Sequence, residues 1–159
     1  MDNISTEERV VKRLIENGLH ITFAESCTAG MAAARLVNVP MASSVLNVSF
    51  VTYANEAKVK YAAVNPESLE KYGAVSEIVA GEMAKGAAAL NRADVGVGIS
   101  GIAGPDGGTD EKPVGTVCFG FYVNGRLTTY MLNFGNIGRQ NVRKKSVDFV
   151  FDKLDELLR

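Results

Sequence analysis

The chain has 159 residues, 47% of them apolar, which suits one compact domain spanning 1–159 with a real core. Seventeen basic residues against eighteen acidic ones leave a net charge of −1, which excludes a general attraction to nucleic acid or to an anionic membrane surface. No apolar run approaches a bilayer span, and the start, Met1-Asp2-Asn3-Ile4-Ser5-Thr6-Glu7-Glu8, is polar and acidic where a secretory signal is basic and then apolar. A cytoplasmic protein with no membrane or nucleic-acid partner is the expectation.

Cys27 and Cys118 are too few and too far apart for a zinc site or a disulfide framework, and both are expected reduced and at least half buried. The single histidine, His20, stands at the start of a predicted strand and reads as structural. Histidine is therefore not the expected partner of a nucleophile, and neither a metal nor a cofactor is expected.

In chain order, Ser5-Thr6-Glu7-Glu8 has the form of a capping box, followed by Val10, Val11, Leu14 and Ile15 on one helical face and Asn17-Gly18 as a stop. Leu19 to Ala24 is a short β-rich run, and Thr28 to Val37 reads as the next helix. Ser49 to Tyr53 alternates and is rich in β-branched and aromatic residues, so a second strand is predicted there, with Asn55 as the N-cap of a helix from Glu56 to Ala62. Asn65-Pro66 opens another short helix that Gly73 closes, and Ser76 to Asn91 carries Val79, Met83, Ala87 and Leu90 at helical spacing.

Asp94 to Ser100 is a predicted buried strand that empties into a loop from Gly101 to Pro113. A loop of that length inside a compact domain is usually functional. Val114 to Val123 and Arg126 to Phe134 are joined by Asn124-Gly125, a hairpin signal, and a last helix starts near Arg139 with Val142, Phe149, Val150, Leu154, Leu157 and Leu158 on its buried side. The pattern predicts a three-layer α/β/α sandwich with a mixed, mostly parallel sheet.

In such sheets ligands sit where strands end. The strand ends before Ser26, Asn55 and Gly101 are predicted to share a rim, bringing Ser26, Tyr53, Lys58 and the glycine-rich loop together. Ser26 reads either as a nucleophile at a strand-to-helix turn or, with Thr28, as a plain N-cap. Lys58 near a helix start has a reason to be neutral and to act as base, set against the solvated lysine that would pair with Lys60. Tyr53 reads as a half-buried strand aromatic or as a hydroxyl that orients Lys58 or relays a proton. The glycine-rich loop lacks the Gly-Lys-Ser/Thr of a P-loop, and Arg139 is either a phosphate ligand or a surface arginine.

Four blocks in order, Ala24-Glu25-Ser26-Cys27-Thr28-Ala29-Gly30, Val51-Thr52-Tyr53-Ala54-Asn55-Glu56-Ala57-Lys58, Tyr72-Gly73-Ala74-Val75-Ser76-Glu77 and Ser100 to Gly108 continuing through Lys112-Pro113-Val114-Gly115-Thr116-Val117, resemble the CinA C-terminal domain family. The resemblance covers nearly the whole chain and suggests the stand-alone form. It implies an α/β/α fold and the activity of a nicotinamide-nucleotide amidohydrolase, which converts nicotinamide mononucleotide to nicotinate mononucleotide and ammonia without a metal. It further implies Ser26 as nucleophile with Tyr53 and Lys58, and an arginine that falls on Arg139 or else on Arg143. The expected substrate-binding positions are Thr28, Ala29, Gly30, Asn55, Gly101, Ala103, Gly104 and Arg139. A homo-oligomer, a dimer, is the assembly the family suggests. Ala29 and Ser49 stand where the family commonly has glycine. A catalytically silent pyridine-nucleotide-binding or regulatory module, and a hydrolase using Cys27, are the rival readings.

Overall fold

The computed structural model describes residues 3–159; Met1 and Asp2, the first residues of the acidic start, lie outside the described residues. Helix α1 (Thr6–Glu16) is opened by the reciprocal cap its sequence predicts, Glu8 N–H donating to Ser5 Oγ and Ser5 N–H to the Glu8 carboxylate. There follow β1 (Ile21–Glu25), α2 (Met31–Val37), β2 (Phe50–Val51), α3 (Asn55–Ala62), α4 (Pro66–Tyr72), α5 (Glu77–Leu90), β3 (Val95–Gly101), β4 (Thr116–Val123), β5 (Arg126–Asn133) and α6 (Arg139–Leu157). Among the described residues no helix is long and apolar enough to cross a membrane.

Three local expectations are corrected. Helix α2 begins at Met31 and not at Thr28, because Ala29 and Gly30 have φ of 45° and 94°, which no right-handed helix accommodates. The second strand shortens to two residues. Before it, the Ser49 hydroxyl takes over part of the pairing, accepting from Phe23 N–H at 3.2 Å and donating to Phe23 O at 3.1 Å. Asn55 lies inside α3, whose N-cap position is Ala54 and has no side-chain cap.

The strands form one sheet in the order β2-β1-β3-β4-β5. β1 pairs parallel with β2 and β3, whereas β3–β4 and β4–β5 are antiparallel. The fold is therefore α/β with a five-stranded mixed sheet, and the expectation of a mostly parallel one is corrected. The reversal has a simple cause: no helix crosses back between β3 and β4, so the glycine-rich loop returns the chain on the rim where β3 ended. Asn124 and Gly125, at φ of 52° and 77°, then make the predicted tight hairpin.

Alternation along the strands divides the packing. Val95, Val97 and Ile99 of β3 and Val117, Phe119 and Phe121 of β4 join Phe23, Leu14, Leu36 and Phe151 in one buried cluster. Their neighbours Gly96, Gly98 and Gly120 lie directly beneath α5. A Cβ on Gly96 would run into the Ala84 carbonyl oxygen, and one on Gly98 or Gly120 into that of Ala80. The glycines thus let a helix backbone rest on the sheet, which explains the Val-Gly-Val-Gly run of β3 and fixes the height of the rim at Ser100. Gly98→Ala should lift α5 and destabilise the fold by about 1–3 kcal/mol, read as a lower Tm in thermal unfolding; an unchanged Tm would show that the helix has room to move.

Candidate active site

Ser26 follows β1 in a turn pinned at both ends. Its N–H donates to Ile99 O of β3 at 2.9 Å, and its own carbonyl accepts Ala29 N–H at 3.1 Å. Glu25, wholly buried, holds the turn from within: one carboxylate oxygen accepts the Thr28 hydroxyl at 2.6 Å and Ala32 N–H at 2.9 Å, the other Ala33 N–H at 3.1 Å. An anion at the start of α2 satisfies donors a helix otherwise leaves open. Glu25 thus occupies the first-turn donors of α2 at Ala32 and Ala33. The N–H groups left without an acceptor among the described residues are those of Cys27, Thr28 and Gly30 in the turn.

Lys58, on α3, is only 1% exposed. Its Nζ lies 3.1 Å from Ser26 Oγ, 2.8 Å from Thr52 O and 3.2 Å from Tyr53 O. No carboxylate lies within ion-pair distance of it among the described residues. Burial without a counter-charge pushes the lysine pKa below its ordinary value. Two N–H bonds of a neutral amine match the two carbonyls, and the lone pair is then left to receive the Ser26 proton. This is not the solvated lysine weighed above; Lys60 is the exposed one of the two.

Tyr53 is 59% exposed, and its contact with Lys58 runs through its carbonyl. Its hydroxyl accepts from Arg139 Nη2 at 3.1 Å, while Arg139 Nη1 donates to Gly104 O at 2.8 Å. Ser26, Tyr53, Asn55, Lys58, Gly101, Ala103 and Arg139 line one cleft of about 210 Å³, completed by Cys27, Ala74, Val75 and Ser100. Of the other expected positions, Thr28 turns its hydroxyl into Glu25 and Gly104 offers only its carbonyl to Arg139, and these two, with Ala29 and Gly30, do not line the cleft. A larger concavity of about 650 Å³ runs along the outer side of the glycine-rich loop between Asp106, Asp110, Asn133 and Asn136, and shares no residue with the Ser26 cleft.

Cys27 also borders the cleft, but burial raises its thiol pKa to about 12, leaving little thiolate near neutral pH. His20 is remote from this chemistry: its N–H donates to the Asp94 carboxylate and its carbonyl accepts from Asp94 and Val95. Sequence reasoning did not single out Glu25, Ser100 or the Ala74-Val75 wall. Glu25 alone carried a signal, as a carboxylate ending an apolar strand just before a helix.

A buried lysine amine on the hydroxyl of a serine, at the strand-end rim of a mixed α/β sheet, defines the class of protein this is: one carrying a serine–lysine pair. The chain belongs to the CinA C-terminal domain family, whose model matches residues 3–158. It is 48% identical over 153 residues to a competence-damage inducible protein of Alkaliphilus oremlandii and 48% identical over 148 residues to a CinA-like protein of Kosmotoga olearia. It spans 37% and 36% of the length of those two relatives. Among solved structures it is similar to the competence/damage inducible protein CihA of Agrobacterium tumefaciens, with TM-score 0.89, 38% identity and coverage of 98% of this chain and 97% of that one. A CinA superfamily protein of Enterobacter cloacae matches with TM-score 0.91 and 34% identity, covering 100% of this chain and 95% of that one.

Ala29 pays for its left-handed backbone where glycine would not. Relief of roughly 1–2 kcal/mol, offset by the greater freedom of glycine in the unfolded chain, leaves Ala29→Gly more stable by about 0.5–1 kcal/mol. The expected result is a Tm higher by about 1–4 °C; a fall would mean that the Ala29 methyl makes contacts worth more than the strain.

Proposed function

We propose that the chain is a nicotinamide-nucleotide amidohydrolase that uses Ser26 as nucleophile and Lys58 as base. The observation that carries the reading is the buried Lys58 amine 3.1 Å from Ser26 Oγ with no counter-charge beside it. An amine so placed removes the hydroxyl proton as the oxygen attacks the carboxamide carbon of nicotinamide mononucleotide. The protonated Lys58 then returns the proton to the departing nitrogen, ammonia leaves, and the acyl group stays on Ser26. Water, giving its proton to the same amine, attacks the ester, and the amine passes the proton to Ser26 Oγ as the C–O bond breaks and nicotinate mononucleotide leaves.

The shape of the site supports this substrate. A volume of about 210 Å³ is below the ~300 Å³ at which whole-ligand pockets begin, so the cleft suits the carboxamide end of the ring and leaves the ribose phosphate at the mouth. There Arg139 spends its donors on a neutral carbonyl and a phenol, and its charge is free to meet an anion. The raised Cys27 thiol weighs against the cysteine alternative.

Ammonia release from nicotinamide mononucleotide tests the reading. Ser26→Ala and Lys58→Met should each lose ~10³-fold or more in kcat with the fold retained by circular dichroism; a folded Ser26→Ala protein with wild-type release would end the mechanism, and tight binding of the nucleotide without turnover by the wild type would favour a silent binding module. The pH dependence has a definite sign. The working amine is neutral and its pKa is depressed, so kcat/KM should rise with pH and level off below the ordinary lysine value near 10.5. A rise still under way at that value would show that Lys58 is hydrated in the working enzyme.

A further inference from the structure

Arg143 sits one helical turn after Arg139 on α6, half-buried, and reaches the Ser26 turn without lining the cleft. Its Nε donates to Cys27 O at 2.9 Å and its Nη2 to Thr28 O at 3.3 Å. Among the described residues it has no carboxylate within ion-pair distance. By contrast Arg9 and Arg13 both meet Asp155, and Arg35 meets Glu7 and Asp148. A whole guanidinium charge is thus spent on two consecutive peptide carbonyls beside the candidate nucleophile.

Peptide planarity turns that contact into a statement about donors. In a trans peptide the carbonyl and the N–H of the following residue point in opposite directions. Holding Thr28 O orients the Ala29 N–H, which closes the turn on Ser26 O at 3.1 Å. That bond in turn fixes the Ser26–Cys27 peptide, whose Cys27 N–H points away from Ser26 O, has no acceptor among the described residues and belongs to a residue that lines the cleft.

We propose that Arg143 is a positioning residue: through the Cys27 and Thr28 carbonyls it fixes the turn so that the Cys27 N–H, which borders the cleft, receives the oxygen charge that develops when Ser26 attacks. The inference rests on Ser26 being the nucleophile, as proposed above, but not on the identity of the substrate. It separates the two neighbouring arginines by role, Arg139 at the mouth for the substrate anion and Arg143 at the turn for the reacting oxygen.

The test compares Arg143→Met, Arg143→Lys and Arg143→Ala with wild type in two assays on the full chain: ammonia release from nicotinamide mononucleotide, and the rate of Ser26 labelling by an alkyl fluorophosphonate, followed by mass spectrometry. In labelling, the Oγ–P bond forms, the P–F bond breaks, fluoride leaves and Lys58 takes the proton. Arg143→Met should lose on the order of 10–100-fold in kcat with KM within about twofold, less than the 10²–10³ lost when an oxyanion donor itself is removed. Labelling should slow in parallel, Arg143→Lys should recover part of both rates, and added guanidinium should raise the Arg143→Ala rates. A rise in KM at unchanged kcat would overturn the inference and make Arg143 a substrate ligand. A lower Tm with normal rates per folded molecule would also overturn it, leaving a purely structural clamp. If the wild type labels at Ser26 but releases no ammonia, slowed labelling in Arg143→Met sustains the inference while the substrate reading falls. A wild type inert in both assays removes both.

Discussion

A lysine amine taken out of water has to be met by oxygen on the sides it can reach, and at Lys58 that requirement ties together three parts of the chain. Thr52 and Tyr53 supply carbonyls from the end of β2, Ser26 supplies a hydroxyl from the end of β1, and α3 supplies the stem. None of the three oxygens carries a full charge. The site therefore favours the neutral amine without any acid beside it, and the parallel pairing of β1 with β2 keeps the two strand ends level enough for one Nζ to reach both.

The turn that carries Ser26 is governed by opposite charges on its two sides. Glu25 gathers N–H groups and a hydroxyl inward, and Arg143 gathers carbonyls outward. A peptide chain pulled by its donors from one side and by its acceptors from the other has little freedom left, which is how a short turn with a non-glycine residue in left-handed geometry can be held in place. Rigidity here comes from buried electrostatics, because the turn has no regular hydrogen-bond ladder of its own.

Periodicity and punctuation made most elements legible. The capping box at Ser5, proline at the first position of α4, Ser76 at the start of α5 and Asn124-Gly125 between β4 and β5 each act locally, so they can be read locally. What escaped was non-local. The sheet's mixed direction depends on where the glycine-rich loop returns, and the two-residue length of β2 depends on Ser49 reaching Phe23 across 26 positions. In the site, Ser26, Lys58 and Tyr53 were expected on one rim from the rule that ligands sit where strands end, together with the family resemblance. The direction of the Tyr53 hydroxyl, the occupation of the α2 donors by Glu25 and the reach of Arg143 over 116 positions were not readable from spacing, because each is a choice of partner made only after the chain is packed.

Because β4 runs back beside β3, the connection between them leaves and re-enters the sheet on a single rim, and one wall of the Ser26 cleft hangs from it at Gly101 and Ala103. A wall of that kind is decoupled from the framework. Inserting or deleting residues at its outer tip shifts no strand register, and each doubling of loop length costs only about 0.6 kcal/mol in closure entropy. The serine and the lysine, by contrast, sit on strand and helix ends that cannot slide without breaking the sheet. The molecule thus separates a fixed serine–lysine pair from a recuttable rim, so that the shape of the cleft can change without moving the pair.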